Sequence, residues 1–180
     1  MRYSDIKRHL RPYLILDRRK TTINHAFAAA IAPCDAFDDR RVREAIALLG
    51  QDPDSILTCV YCDAEAETWD HVFAIVERGQ FGGRGHRLGN LLPCCKPCNS
   101  RKGNKDWKSF LLNSSASDPT LRIERIERYL QQLGVRDRVP DERPEYQELQ
   151  AIKTQILDLM KQADHVARRL RDSDPLPPVS

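Results

Sequence analysis

Two Cys-x-x-C pairs, Cys59/Cys62 and Cys95/Cys98, constrain this chain more than any other feature. A Cys-x-x-C step on a tight turn points both sulfurs the same way. Two such pairs, 33 residues apart, can set four thiolates tetrahedrally around one zinc ion. Four protein sulfurs leave no open position for water, so such a zinc is structural. Cys95 leaves the two-residue gap to Cys98, whereas Cys94 leaves three, so Cys94 reads as a small buried residue. The chain holds six cysteines. In a reducing compartment they suit metal binding better than a disulfide framework. The staple would supply folding free energy that a small, loop-rich unit cannot draw from its core.

A purely structural zinc site does not explain the polar residues between and beside the pairs. Asp70 and His71 are consecutive, Asn90 precedes the second pair, and Asn99 follows its last cysteine directly. An Asp carboxylate and an Asn carbonyl are hard oxygen ligands, suited to magnesium or manganese rather than to a thiolate-bound metal. A neutral histidine beside them can take a proton from water near pH 7. Neighbours on a strand point to opposite faces, so Asp70 and His71 share one site only where the strand is twisted or bulged. Each residue alone reads more simply as structural: His71 as a satisfied core histidine, Asn99 as a hydrogen-bonder at a helix start. Together, on a zinc scaffold, they point to chemistry.

Charge points to the partner. The net charge of the 180 residues is only +3. Residues 77–108, however, carry eight basic side chains against two acidic ones. A polyanion is the plain inference. Arg84, Arg87, Arg101, Lys102 and Lys105 are the candidate phosphate contacts. The glycine-rich loop before Asn90 also contains His86, which reads as a solvent-exposed loop residue.

The remaining chain reads as helical flanks around this centre, giving an α+β fold: a small zinc-stapled module between N- and C-terminal helices. Residues 1–54 are a basic segment and a helical pair. The first helix is expected over INHAFAAAIA, capped by Thr21 and Thr22. The second is expected at about residues 40–49, with Val42, Ala45, Ile46 and Leu49 on one face. Residues 55–112 form the module, with strands expected near 57–61, 68–76 and 90–94 and a helix opening between the last two cysteines. Residues 113–180 hold a helix from Asp118–Pro119 to about Leu133, a charged connection, a helix over about 145–171 and a disordered tail at 172–180. On the long helix Leu149, Ile152, Ile156, Leu159, Ala163, Val166 and Leu170 step as heptads. They mark either a seam for a second copy or protein partner, or a face folded onto the chain itself. No apolar run approaches the roughly 20 residues of a membrane span, and residues 13–16 are too short for a signal-peptide core. The cytoplasm is the expected compartment.

The central stretch resembles the HNH endonuclease family, with its ββα-metal fold. The resemblance is carried by CVYC at 59–62, DH at 70–71, Asn90, CKPC at 95–98, Asn99 and the RKG that follows. It covers about residues 57–108. The run from Asn90 through Cys95 and Cys98 to Asn99 is similar to the family's N-x4-C-x2-C-N pattern. Asn99 stands where many relatives have a last histidine, as in the HNN variant of phage junction-resolving endonucleases. The resemblance implies a metal-dependent DNA endonuclease, with RNA left open as a substrate. His71 would be the general base, and Asp70 and Asn99 would hold a catalytic Mg2+ or Mn2+. Asn90 would hold the loop that positions His71, and Cys59, Cys62, Cys95 and Cys98 would hold structural Zn2+. Products would carry a 5′-phosphate and a 3′-hydroxyl. The alternative is a non-catalytic zinc-stabilised module that binds nucleic acid or serves assembly.

Overall fold

In the computed structural model, residues 3–114, 116–134 and 139–173 are described. A 3-10 turn at Tyr3–Arg8 leads to helices α1 (Ile15–Ile31) and α2 (Asp39–Leu48). Four short strands follow: β1 (Thr68–His71), β2 (Val76–Glu77), β3 (Gln80–Phe81) and β4 (Leu91–Cys94). Four helices close the chain: α3 (Lys96–Lys102), α4 (Trp107–Leu112), α5 (Pro119–Leu133) and α6 (Pro144–Ser173). The mixture of helices and small sheets is the expected α+β class. Among the described residues no helix is long and apolar enough to cross a membrane.

The chain divides into two compact units. One comprises Met1–Phe27 with Pro140–Ser180, the other Ala28–Val139. The expected boundaries at 54/55 and 112/113 therefore fall inside the larger unit. The physical reason is packing. Ala45 and Leu49 of α2, Leu111 of α4, and Ile123, Ile126 and Tyr129 of α5 share one buried cluster with Val60, Tyr61, Val72 and Leu92. The helices flanking the motif thus complete its core. A second cluster gathers Ala28, Ile75, Val76 and Phe81.

Within the larger unit, β1 and β4 pair antiparallel, with Asp70 opposite Leu92 and His71 opposite Leu91. β2 and β3 form a separate hairpin. α3 leaves β4 after a single residue, Cys95, and packs on β1, giving a β-β-α unit. The expected strand at 57–61 is instead a knuckle: Cys59 N–H donates to Ala64 O at 2.7 Å, and only Thr58 makes a bridge, to Glu65.

In the smaller unit, α1 starts at Ile15, well before the threonine pair expected to cap it. Its first amides are satisfied by a distant residue: Ile15 N and Leu16 N donate to the two carboxylate oxygens of Asp164 at 2.7 and 3.0 Å. On α6, Lys153 is buried, while Ile152, Leu159, Val166 and Leu170 of the heptad series are exposed. The covered stripe is thus offset from the expected seam, most of which faces solvent. Of the tail expected at 172–180, α6 takes the first two residues, and 174–180 lie outside the described residues.

Candidate metal centre and active site

The four cysteines of the two pairs converge. The Cys59, Cys62, Cys95 and Cys98 sulfurs all lie within 4.8 Å of one another. A tetrahedral zinc with Zn–S bonds of about 2.3 Å puts its sulfurs about 3.8 Å apart. Cys62 Sγ and Cys95 Sγ are 3.6 Å apart, close to that edge. The first pair sits on the knuckle, where Tyr61 N–H donates to Cys59 Sγ at 3.4 Å. The second straddles the start of α3: Cys95 is its N-cap and Cys98 lies in its first turn. Arg101 Nη2 donates to Cys98 Sγ at 3.2 Å. Burial pushes the Cys98 thiol up to about 12, with Arg101 opposing. A bare thiolate is therefore unfavourable there, and a cation at the cluster relieves it. The donor set and spacing fit a closed metal site.

Cys94 stands outside this group. Its sulfur is 3.8 Å from Cys59 Sγ and donates to the Cys95 carbonyl at 3.3 Å. The neighbouring Cys59 and burial push its thiol up, so it stays protonated. It is the fully buried residue its spacing suggests.

β1 alternates as a half-buried strand should. Asp70 turns inward and is 3% exposed, while Trp69 turns outward and His71 is half-buried. Asp70 therefore leaves the His71 face. Its Oδ2 accepts from Tyr61 Oη at 2.8 Å and lies 3.1 Å from Lys102 Nζ. Lys102, expected as a surface phosphate contact, is itself buried at 2% exposure. Its ammonium donates to the His71 carbonyl at 2.8 Å and to Asp70 Oδ1 at 3.3 Å. Burial raises the Asp70 carboxyl above its usual range, against the pull of Lys102. The two side chains thus face each other in the interior. Asp70 is committed to an internal ion pair, and Lys102 is its counter-ion rather than a phosphate hook. Sequence did hold a signal: Cys98 and Lys102 are four apart on α3, so they share its buried face.

Asn99 lies on α3 over β1, its amide nitrogen 3.5 Å from the Trp69 carbonyl. The Asp70 carboxylate is buried beside Lys102 rather than presented to solvent. As arranged, these residues do not fit the expected magnesium or manganese site.

Asn90 directly precedes β4. It is 3% exposed, and its side chain grips the turn after β1. Oδ1 accepts from Phe73 N at 2.9 Å, and Nδ2 donates to Phe73 O at 3.2 Å and to Gly85 O at 3.0 Å. α5 fixes the residues beside it. Tyr129 Oη accepts from Gly89 N and donates to Leu91 O, both at 2.7 Å. Gly89 adopts φ +87°, and a Cβ there would meet the Leu133 carbonyl oxygen at 2.2 Å, so only glycine serves.

His71 meets a residue not expected at the site. Its Nε2 lies 3.1 Å from His86 Nδ1. His86 is half-buried, not solvent-exposed. Of the expected phosphate contacts, Arg84 lies 4.2 Å above the Phe73 ring and Arg87 is half-buried, while Arg101 and Lys105 are exposed. An open cleft of about 450 Å3 is bordered by Phe73, Arg78, Asn104, Lys105 and Trp107. His71 is not among its lining residues, but Val72, Phe73 and Lys102, the partner of the His71 carbonyl, are.

Comparison with known proteins finds no family model that matches the chain, no similar curated protein and no similar solved structure.

Proposed function

We propose that this chain is a zinc-stapled endonuclease of the HNH type that hydrolyses phosphodiester bonds in DNA. The single observation that carries the reading is His71 at the end of β1. It is flanked by an Asn90-clamped turn and a four-cysteine cluster on one β-β-α unit. Zn2+ would be held by Cys59, Cys62, Cys95 and Cys98, and would supply rigidity to the knuckle and to the start of α3. His71 takes a proton from water. The water oxygen bonds phosphorus as the bond to the 3′ oxygen breaks; the 3′ oxygen leaves with the bonding pair and takes a proton from solvent, giving a 5′-phosphate and a 3′-hydroxyl. Arg84, Arg87, Arg101 and Lys105 supply positive charge for backbone phosphates. The family's reaction also uses a divalent cation. Asp70, its expected ligand, is paired with Lys102.

A second reading draws on that same ion pair. A buried ammonium against the carboxylate expected to bind metal suits a module that binds nucleic acid without cutting it. The two readings part on one assay. The full-length, zinc-loaded chain is incubated with supercoiled plasmid, single-stranded DNA, branched DNA and RNA, with and without magnesium or manganese. Cleavage leaving 5′-phosphate ends supports the nuclease. Retention of the substrates in gel shifts without cleavage supports the binding module.

A further inference from the structure

The imidazoles of His71 and His86 meet edge to face, with ring centroids 5.0 Å apart and planes at 68°. His71 Nε2 and His86 Nδ1 face each other at 3.1 Å. At that separation one facing nitrogen carries the proton and the other accepts it. Neutral imidazole favours the Nε2–H tautomer. If both rings adopt it, His71 Nε2–H donates to the lone pair on His86 Nδ1. The lone pair of His71 then resides on Nδ1, which becomes the nitrogen that can take a proton.

The chain segment between α1 and α2 holds His86 in place. His86 N donates to Pro33 O at 2.9 Å, and Asp35 N donates to His86 O at 3.2 Å. Cys34 and His86 form a parallel bridge. Asp35 Oδ2 also accepts from Leu88 N at 3.1 Å. A Cβ on Gly85 would come within 2.1 Å of the Pro33 carbonyl oxygen. Only a glycine lets the loop press this closely against the segment. A stretch outside the cysteine motif thus sets the position of one imidazole against another.

We propose that His86 is a positioning residue for His71. Through Nδ1 it keeps His71 in the Nε2–H tautomer and fixes its ring, so that His71 Nδ1 faces the proton it must take. The proposal rests on the nuclease reading above. It follows the general logic of a base oriented by a third group, with a neutral imidazole as the orienter. When His71 Nδ1 takes a proton from water, the Nε2–H···Nδ1 bond becomes charge-assisted and shorter. A contact that strengthens as the proton moves lowers the barrier rather than merely tightening binding.

The test compares full-length, zinc-loaded wild type with His86→Phe and His86→Asn. Phenylalanine keeps a ring for the edge-to-face contact but has no nitrogen. Asparagine keeps an acceptor near the position of Nδ1. His86→Phe is expected to lower turnover on plasmid at least about tenfold, with KM and zinc content unchanged, and His86→Asn to recover most of the rate. Imidazole 15N NMR at pH 8 should show His71 as the Nε2–H tautomer in wild type and His86→Asn, and as a tautomer mixture in His86→Phe. Wild-type turnover in His86→Phe, or an unchanged His71 tautomer in that variant, overturns the proposal. A wild type that cleaves nothing, yet whose His71 tautomer shifts in His86→Phe, supports the pairing and overturns the nuclease reading instead.

Discussion

Lys102 is the residue whose position changes the reading of the site most. A lysine in the basic run after the last cysteine reads as a phosphate contact. The structure buries it against Asp70 and the His71 carbonyl. Removing one member of such a pair strands the other charge in a low-dielectric interior. Lys102→Met should therefore destabilise the protein by about 3 kcal/mol or more, read by urea denaturation with zinc present. The double variant with Asp70→Asn should recover part of that loss. Wild-type stability in Lys102→Met would mean that the ammonium faces water. Asp106 offers a second test at this scale. Its carboxylate caps α4, accepting from Ser109 N at 2.8 Å. This bond holds its carboxyl below the ordinary 3.8. A depressed folded value means that the cap stabilises above about pH 4 and is lost as pH falls through the lowered value. Asp106→Ala should cost about 1 kcal/mol at pH 7, with a gap to wild type that narrows below pH 4.

At the scale of elements, helix starts divide into those visible in sequence and one that is not. Asp38, Asp106 and Asp118 each cap the helix that follows, accepting from a backbone N–H three residues on. The start at Asp118 was legible because the cap and its helix are neighbours. α1 is capped by Asp164, 149 residues away from Ile15, so no local pattern could place its start. Asp164→Ala should cost about 1 kcal/mol and speed amide exchange at residues 15–18. Unchanged exchange there would contradict the cap. The four converging cysteines were legible by spacing alone, and so was the strand–helix step around them. The knuckle at 57–61 was not, because β-prone residues there serve the core and the sulfurs rather than a ladder. The burial of Asp70 was half legible: strand alternation separates it from His71, but its partner comes from another element. His86 left no signal, since its partner is set by a loop pressed on a distant segment. The staple itself predicts that chelation, or Cys62→Ser, abolishes the cooperative melt of the larger unit, whereas Cys94→Ala keeps one zinc per chain. A cooperative, metal-free melt of Cys62→Ser would refute the staple.

For the whole molecule, the flanks are more than carriers of a motif. α2 and α5 complete the core beneath the cysteine knuckle, Tyr129 of α5 pins both sides of Asn90, and the segment at 33–35 braces His86. The compact unit that holds the cysteine cluster therefore spans Ala28–Val139, about twice the stretch that resembles HNH endonucleases. The most direct measurement compares nicking of supercoiled plasmid by zinc-loaded wild type and His71→Ala, with zinc content and melting temperature recorded for both. The account predicts equal zinc content and melting, with nicking at least about a hundredfold slower in the variant. Nicking at the wild-type rate by a folded, zinc-loaded His71→Ala protein would contradict it.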